Sequence, residues 1–129
     1  MEDRYLFKAK CFEKWHIGNI VKEPDGLYIR DIKENVMAYI DDESTICQCT
    51  GLKDKNGKLI WENDVVGFWD AYSTENGHAE MDCIGKVVWD DETISFQVTN
   101  RLSAESYEVL DECSVIGNIF DNPELMYEL

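Results

Sequence analysis

Turn signals recur along this chain at intervals of roughly eight to twelve residues, and this spacing limits the fold more than any other feature. Short runs of β-branched and aromatic residues lie between the turns, as in Leu27–Ile32 and Cys83–Trp89. Such runs are typical of strands, and many short strands with frequent turns are typical of barrels and sandwiches. The sequence therefore predicts a mainly β protein.

We expect two lobes, with a soft boundary at the acidic connector Asp41–Ser44. Residues 1–44 are predicted to form a β-meander of three or four strands. Residues 45–129 contain five or six candidate strands, which suits a small SH3-like β-barrel packed on the meander. This division into domains is an expectation, and it rests on the polar, acidic composition of the connector between two more apolar segments.

Helical structure is expected mainly at the C-terminus. Asp121-Asn122-Pro123-Glu124 predicts a short helical turn, because proline at the first turn lacks an N–H that would be unpaired there anyway. A mixed α+β protein stays open as the alternative, with helices at Lys33–Ala38 or Ser103–Leu110. Asn100–Val109 is ambiguous between helix and strand.

Thr50–Phe68 is the stretch of the chain with the strongest turn signals. Asn56-Gly57 predicts a hairpin with a type I′ turn, since both residues accept positive φ. Glu62-Asn63-Asp64 predicts a second tight turn, with Asn63 in the left-handed conformation and a strand after it. The first turn is flanked by three basic residues that keep it solvated: Lys53, Lys55 and Lys58.

Other turns are predicted on each side of this stretch. Pro24-Asp25-Gly26 indicates a hairpin between the second and third strands, because Pro presets φ and Asp-Gly supplies positive-φ positions. Asp70–Asp82 is mostly polar and contains Asn76-Gly77, which predicts a long hairpin loop with a mobile tip. Trp15 and His16 are expected to begin a bend.

Charge is distributed unevenly along the chain. Residues 1–58 hold 10 basic and 11 acidic residues, whereas residues 59–129 hold 2 basic and 16 acidic ones, a net charge of −14. The acidic half should repel nucleic-acid phosphates and anionic membrane surfaces, so neither partner is expected. Solubility explains such charge. The alternative is an acidic surface that engages a basic partner, including DNA mimicry toward a nucleic-acid-binding protein.

The five cysteines are odd in number and scattered, which favours free thiols: Cys11, Cys47, Cys49, Cys83 and Cys113. Structural zinc prefers paired Cys-x₂₋₄-Cys turns, and Cys47-x-Cys49 has no second pair, so no metal site is predicted. The acidic start Met1-Glu2-Asp3 lacks a signal peptide, and no apolar run is long enough to span a membrane. We expect a cytoplasmic protein.

Catalytic motifs are not evident. His16 and His78 are the only histidines, and neither accompanies a nucleophile motif, a phosphate loop or a dinucleotide fingerprint. They are interpreted as a turn histidine and a loop histidine. Adjacent acids such as Asp90-Asp91-Glu92 are interpreted as solvated turns, so we expect neither a cofactor nor an enzyme. An enzyme with a cryptic carboxylate site is kept as the alternative.

Aromatic residues supply material for a core or for a contact groove. Trp69 and Trp89 fall near strand ends, where a ring can be exposed, and Trp61 follows the hairpin. Core burial is the competing explanation for all three. The candidate interaction residues are therefore Lys53, Lys55, Lys58, Trp61, Trp69 and Trp89.

Three segments, in order, resemble the YopX family of phage and prophage proteins. They are Thr50–Val66 (TGLKDKNGKLIWENDVV), Gly85–Asp90 (GKVVWD) and Ser114–Leu125 (SVIGNIFDNPEL). Two residues depart from the family pattern: Asn63 stands where Gly is usual, and Cys49 where Tyr or Phe is common. Asparagine tolerates the same backbone conformation, whereas Cys49 removes an aromatic ring.

This resemblance implies a phage or prophage context rather than a reaction. We therefore expect a non-enzymatic accessory protein that binds another protein or self-associates, which includes a homo-oligomer. A DNA-mimic inhibitor of a host nucleic-acid-binding protein is the second hypothesis, and a cryptic enzyme is the third.

Overall fold

The computed structural model describes residues 5–74, 77–99, 107–108 and 112–128, and these residues are mainly β. Two antiparallel sheets are present, together with short 3₁₀ helices at Glu43–Thr45 and Pro123–Glu128. The prediction of a mainly β protein is confirmed. The strands are β1 Phe7–Cys11, β2 Lys14–Glu23, β3 Gly26–Asp31, β4 Met37–Tyr39, β5 Cys47–Lys53, β6 Leu59–Trp61, β7 Asp64–Thr74, β8 Gly77–Asp90, β9 Ser95–Thr99, β10 Tyr107–Glu108 and β11 Ser114–Asn118.

The strand order is β4-β3-β2-β1-β5-β6 in one sheet and β10-β9-β8-β7-β11 in the other. Both orders are linear over the described strands, so the SH3-like barrel stays a prediction. The chain divides into two compact units, Met1–Gly51 and Leu52–Leu129, and the border falls within β5. The sequence placed the border at residue 44; residues 45–51 group with the first unit because β5 pairs with β1.

The first unit is built from consecutive antiparallel strands. β1 pairs with β2, β2 with β3 through the Pro24–Asp25 hairpin, and β3 with β4. Alternation on the strands directs one face inward, and the buried cluster consists of Ala9, Cys11, Ile29 and Ile40. At Gly18 of β2, strand β3 lies so close that a Cβ atom on residue 18 would overlap the backbone carbonyl of Arg30.

The second unit is organised by the long β7–β8 hairpin. Its register runs from Val65↔Lys86 to Thr74↔Gly77. β9 flanks β8, and β11 flanks β7 with a bulge between Val115 and Gly117. The buried cluster comprises β-branched side chains and one thiol: Ile60, Val66, Val87, Val98 and Cys113.

Two local predictions are wrong. Residues 70–74 and 77–82 of the polar segment are strand, not loop, because they pair with one another across β7 and β8; residues 75–76, the predicted mobile tip, lie outside the described residues. Trp15 and His16 lie within β2 rather than in a bend. The alternative of a helix at Lys33–Ala38 is not realised, since these residues form a turn followed by β4. The terminal turn that begins at Pro123 is confirmed, as is the left-handed Asn63, with φ 70°.

The alternative between strand and helix in residues 100–109 is only partly resolved. Tyr107–Glu108 forms β10, which pairs with Val98 and Gln97 of β9. The remaining residues of that segment lie outside the part of the chain that the structure describes. Among the described residues, no helix is long and apolar enough to cross a membrane.

Candidate functional site

The end of β5 and the loop between β5 and β6 carry the three predicted lysines, and we call Lys53–Lys58 the basic tip. The Asp54 N–H donates to the Lys58 carbonyl at 2.8 Å, and the Gly57 N–H donates to the Asp54 carbonyl at 3.0 Å. Gly57 has φ 80°, whereas Asn56 is not among the positive-φ residues. The predicted type I′ turn is therefore wrong, since that turn needs positive φ at both central residues. Three residues, 55–57, lie between the hydrogen-bonded Asp54 and Lys58, and Gly57 is the left-handed one.

The buried carboxylate of Asp54 stabilises the basic tip through hydrogen bonds with its backbone. Its side chain is buried, and its Oδ1 accepts hydrogen bonds from the N–H groups of Asn56 and Lys58, both at 2.9 Å. Oδ2 accepts from the Val115 N–H, also at 2.9 Å. Burial opposes ionisation, but the three amides and the Lys58 charge outweigh it and lower the pKa of Asp54. The carboxylate therefore joins the hairpin to β11 as a charged group.

Two further contacts attach the same loop to the segment around β11. The Lys55 N–H donates to the Cys113 carbonyl at 3.0 Å. The Asn56 side-chain Nδ2 donates to Ser114 Oγ at 3.3 Å. The backbone of the basic tip is thus tied down on both sides of its turn.

The lysine side chains themselves are left to solvent. Lys53, Lys55 and Lys58 are all exposed. None of the three forms a salt bridge within the described part of the chain. A backbone fixed by hydrogen bonds therefore presents three ammonium groups to solvent.

The three candidate tryptophans are placed differently. Trp61 is 6% exposed and belongs to the interior, which is the alternative that the sequence left open. Trp69 lies in β7, and its side chain is outside what the structure describes. Trp89 is 43% exposed; its ring meets Phe96 edge to face at 5.1 Å, and its Nε1–H donates to Asp91 Oδ1 at 2.8 Å. The contacts of Trp89 are therefore at the acidic turn after β8, not at the basic tip.

A second polar cluster, which the sequence did not predict, lies in the first unit. His16 Nδ1 is 2.8 Å from Asp31 Oδ2, and both side chains are buried. Asp31 Oδ1 accepts from the N–H groups of Lys33 and Glu34, both at 2.8 Å. The hydrogen bond from the Glu34 backbone N–H lowers the pKa of Asp31. Burial of the carboxyl acts in the opposite direction, and the hydrogen bond with His16 lowers the pKa further. The interpretation of His16 as a turn histidine is wrong, because β2 carries it inward.

A sequence signal for this cluster did exist. Asp31 falls on the same face as Leu27 and Ile29, so an acid follows two apolar residues at strand spacing. A carboxylate on an inward face needs partners. Nothing in the sequence, however, specifies His16 as the partner, since that depends on the register between β2 and β3.

The three segments that resemble one family also meet in space. The Asn63 N–H of the first segment donates to the Val87 carbonyl of the second at 2.8 Å, and the Asn63 carbonyl accepts from the Ile119 N–H of the third at 3.2 Å. A family model described as "YopX protein" matches residues 11–127. The chain belongs to the YopX family.

In this YopX protein the three segments that resemble the family are held together by hydrogen bonds, which is a structural reason for their distinctive residues. Asp54 connects the first segment to the third through its side-chain carboxylate, and Asn63 connects all three through its backbone N–H and carbonyl. A search of curated proteins gave no match.

Proposed function

We propose that this YopX protein is a non-enzymatic, cytoplasmic accessory protein of phage or prophage origin that acts by binding another protein. The observation that carries the proposal is the basic tip: three exposed lysines on a backbone fixed by the buried Asp54. Residues 59–129 carry a net charge of −14, so the tip stands out electrostatically from the chain that follows it. An SH3-like closure of residues 45–129 is part of the same proposal.

The chemistry of the tip favours a protein partner with an acidic surface. A preformed loop loses little conformational entropy on binding. Exposed lysines add long-range attraction, which speeds association and is weakened by salt. The strongly acidic composition opposes nucleic-acid phosphate as the target, because such binding depends on many basic contacts.

A second copy of the chain is one partner of this kind. The turn Asp90–Glu92 presents acidic residues, of which Asp91 and Glu92 are exposed. The basic tip of one copy and the acidic turn of another have opposite charge, so contact between them would give a salt-sensitive homo-oligomer.

Charge reversal tests the proposal. Lys55→Glu/Lys58→Glu changes the tip by four charges, and Lys22→Glu/Lys33→Glu makes the same change at exposed positions of the first unit. The full-length wild type and both variants are immobilised, and proteins retained from host lysate are quantified. We expect a protein that the wild type and the Lys22/Lys33 variant retain equally, and that the tip variant loses by at least about tenfold.

Light scattering on the free protein, at low and high salt, separates self-association from a foreign partner. Salt-sensitive oligomers that the tip variant loses would identify the partner as a second copy. The proposal fails if the chain is monomeric and no retained protein distinguishes the tip variant from its control.

The DNA-mimic hypothesis predicts the opposite pattern. Under that hypothesis Asp91→Asn/Glu92→Gln, at the exposed acidic turn beside Trp89, abolishes capture of a host nucleic-acid-binding protein, and the tip variant does not. The enzyme hypothesis with a cryptic carboxylate site ranks third, because the sequence carries no catalytic motif beside its carboxylates.

A further inference from the structure

His16, Asp31 and Glu34 bring one imidazole and two carboxylates together in the first unit. One ligand atom from each residue lies within 4.8 Å of the other two. His16 and Asp31 are 7% and 6% exposed, whereas Glu34 is exposed. Two donors are therefore fixed inside and the third stands at the surface, where an ion can enter. We propose that these three residues bind a divalent first-row transition metal ion.

The local fold explains why the donors converge. β2 and β3 approach closely at Gly18, and the pairing continues past the strand ends through the Ile32 N–H and the Ile17 carbonyl at 3.0 Å. This register sets His16 beside Asp31. The turn after β3 is closed by the Asp31 N–H to the Val36 carbonyl at 2.8 Å, with Asn35 left-handed at φ 54°.

The turn also fixes the third donor. The Glu34 N–H donates to Asp31 Oδ1 at 2.8 Å, which holds Glu34 over the carboxylate of Asp31. His16 is nine-tenths buried, and its side chain is held by the contact between Nδ1 and Asp31 Oδ2. Nδ1 is therefore the imidazole nitrogen that the cluster offers to an ion.

Distances suit a metal ion. Ligands of a tetrahedral ion with bonds of ~2.1 Å are about 3.4 Å apart. His16 Nδ1 and Asp31 Oδ2 are 2.8 Å apart, so a widening of roughly half an ångström admits the ion. Binding through Nδ1 requires the neutral imidazole tautomer that carries its proton on Nε2. Water molecules would complete the coordination.

The cluster already attracts positive charge. Lys14 Nζ donates a hydrogen bond to Glu34 Oε1 at 2.7 Å. This ammonium would have to release Glu34 when an ion binds, so Lys14 competes with the metal. One imidazole with two carboxylates favours ions such as Zn²⁺, Co²⁺ or Mn²⁺ over Ca²⁺ and Mg²⁺, which prefer all-oxygen sites.

Titration of the full-length protein with Co²⁺ tests the site, because the visible spectrum of cobalt distinguishes nitrogen and oxygen ligands from thiolates. We expect a one-to-one complex without sulfur ligation. Glu34→Gln should weaken binding by about tenfold or more. Lys14→Met should strengthen it by about threefold, since it removes the competing ammonium. Glu23→Gln, an exposed carboxylate at the far end of β2, makes the same charge change as Glu34→Gln and should leave the affinity unchanged.

All three variants change exposed side chains, and circular dichroism verifies that each is folded. Equal affinities in the Glu34→Gln and Glu23→Gln proteins would overturn the proposal, as would a thiolate spectrum or the absence of saturable binding. The metal site lies in the first unit and is independent of the basic tip, so either proposal can fail alone.

Discussion

Asp54 Oδ2 accepts a hydrogen bond from the backbone N–H of Val115 at 2.9 Å, across 61 positions of sequence. The same carboxylate closes the hairpin loop through Asn56 and Lys58. One side chain thus performs a local task and a long-range task. Its removal should affect both the loop and the attachment of β11.

Asp54→Asn keeps the shape of the side chain but replaces one acceptor oxygen by an NH₂ group. Either the loop amides or the Val115 N–H then faces a donor and loses its partner, in a site that is 5% exposed. We expect a loss of about 1–3 kcal/mol in the free energy of unfolding. Urea denaturation measures it, with the exposed Glu92→Gln as control; equal stabilities of the two variants would contradict the role of Asp54.

Acid should weaken the protein through the same residue. The pKa of Asp54 is lower in the folded protein than its ordinary value, so its stabilisation is complete well above about pH 3.9. This stabilisation is lost as the pH falls from the unfolded pKa toward the lower folded pKa, because Asp54 then binds a proton more readily in the unfolded protein than in the folded one. Urea midpoints between pH 7 and pH 3 should fall less steeply for Asp54→Asn than for the wild type. Parallel curves would refute the assignment.

Ile94 combines positive φ, 54°, with 74% exposure. A β-branched residue in the left-handed region is strained by roughly 1–2 kcal/mol, and this side chain recovers little by burial. Ile94→Asn should therefore stabilise the protein by about 1 kcal/mol, because asparagine tolerates that conformation. Ile32→Asn, at an exposed position without positive φ, is the matched control and should give no gain.

Gly18 is required by the close approach of β2 to β3. A Cβ atom there would overlap the Arg30 carbonyl, and a backbone atom cannot turn aside as a side chain can. Gly18→Ala should cost about 3 kcal/mol or prevent folding. Gly57→Ala meets open space and retains only the strain of φ 80°, so its cost should be about 1 kcal/mol. Circular dichroism with urea unfolding compares the two; equal costs would argue against the tight approach.

All five cysteines are free and buried in the structure. Burial, with a smaller contribution from Asp41, raises the pKa of Cys11, which lowers its thiolate fraction. A thiol reagent at neutral pH should label the native protein slowly and all five thiols quickly in denaturant. Rapid labelling of the native chain would show that a thiol is accessible.

The sequence by itself determined the turns and the helix start, because these depend on the backbone preferences of a few neighbouring residues. Pro24 and Gly26 specify a hairpin, Asn63 a left-handed turn and Pro123 a helical start, since each conformation is set by a residue's own backbone preference. The family likeness could also be recognised from contiguous segments. The type I′ turn was mispredicted because Asn56-Gly57 suits two loop types, and the contacts of Asp54 and Lys55 with the segment around β11 select the other.

Only the tertiary structure decided which polar and aromatic residues share a site. The pairing of β2 with β3 brings His16 to Asp31, and the position of β11 buries Asp54, across separations that local preference does not encode. Residues 70–74 and 77–82 are strand because β7 and β8 pair there, so the hydrogen bonds between the two strands override the polar composition. Burial of Trp61 and exposure of Trp89 follow from the same cause: the environment of a side chain belongs to the assembled sheets, not to its neighbours in sequence.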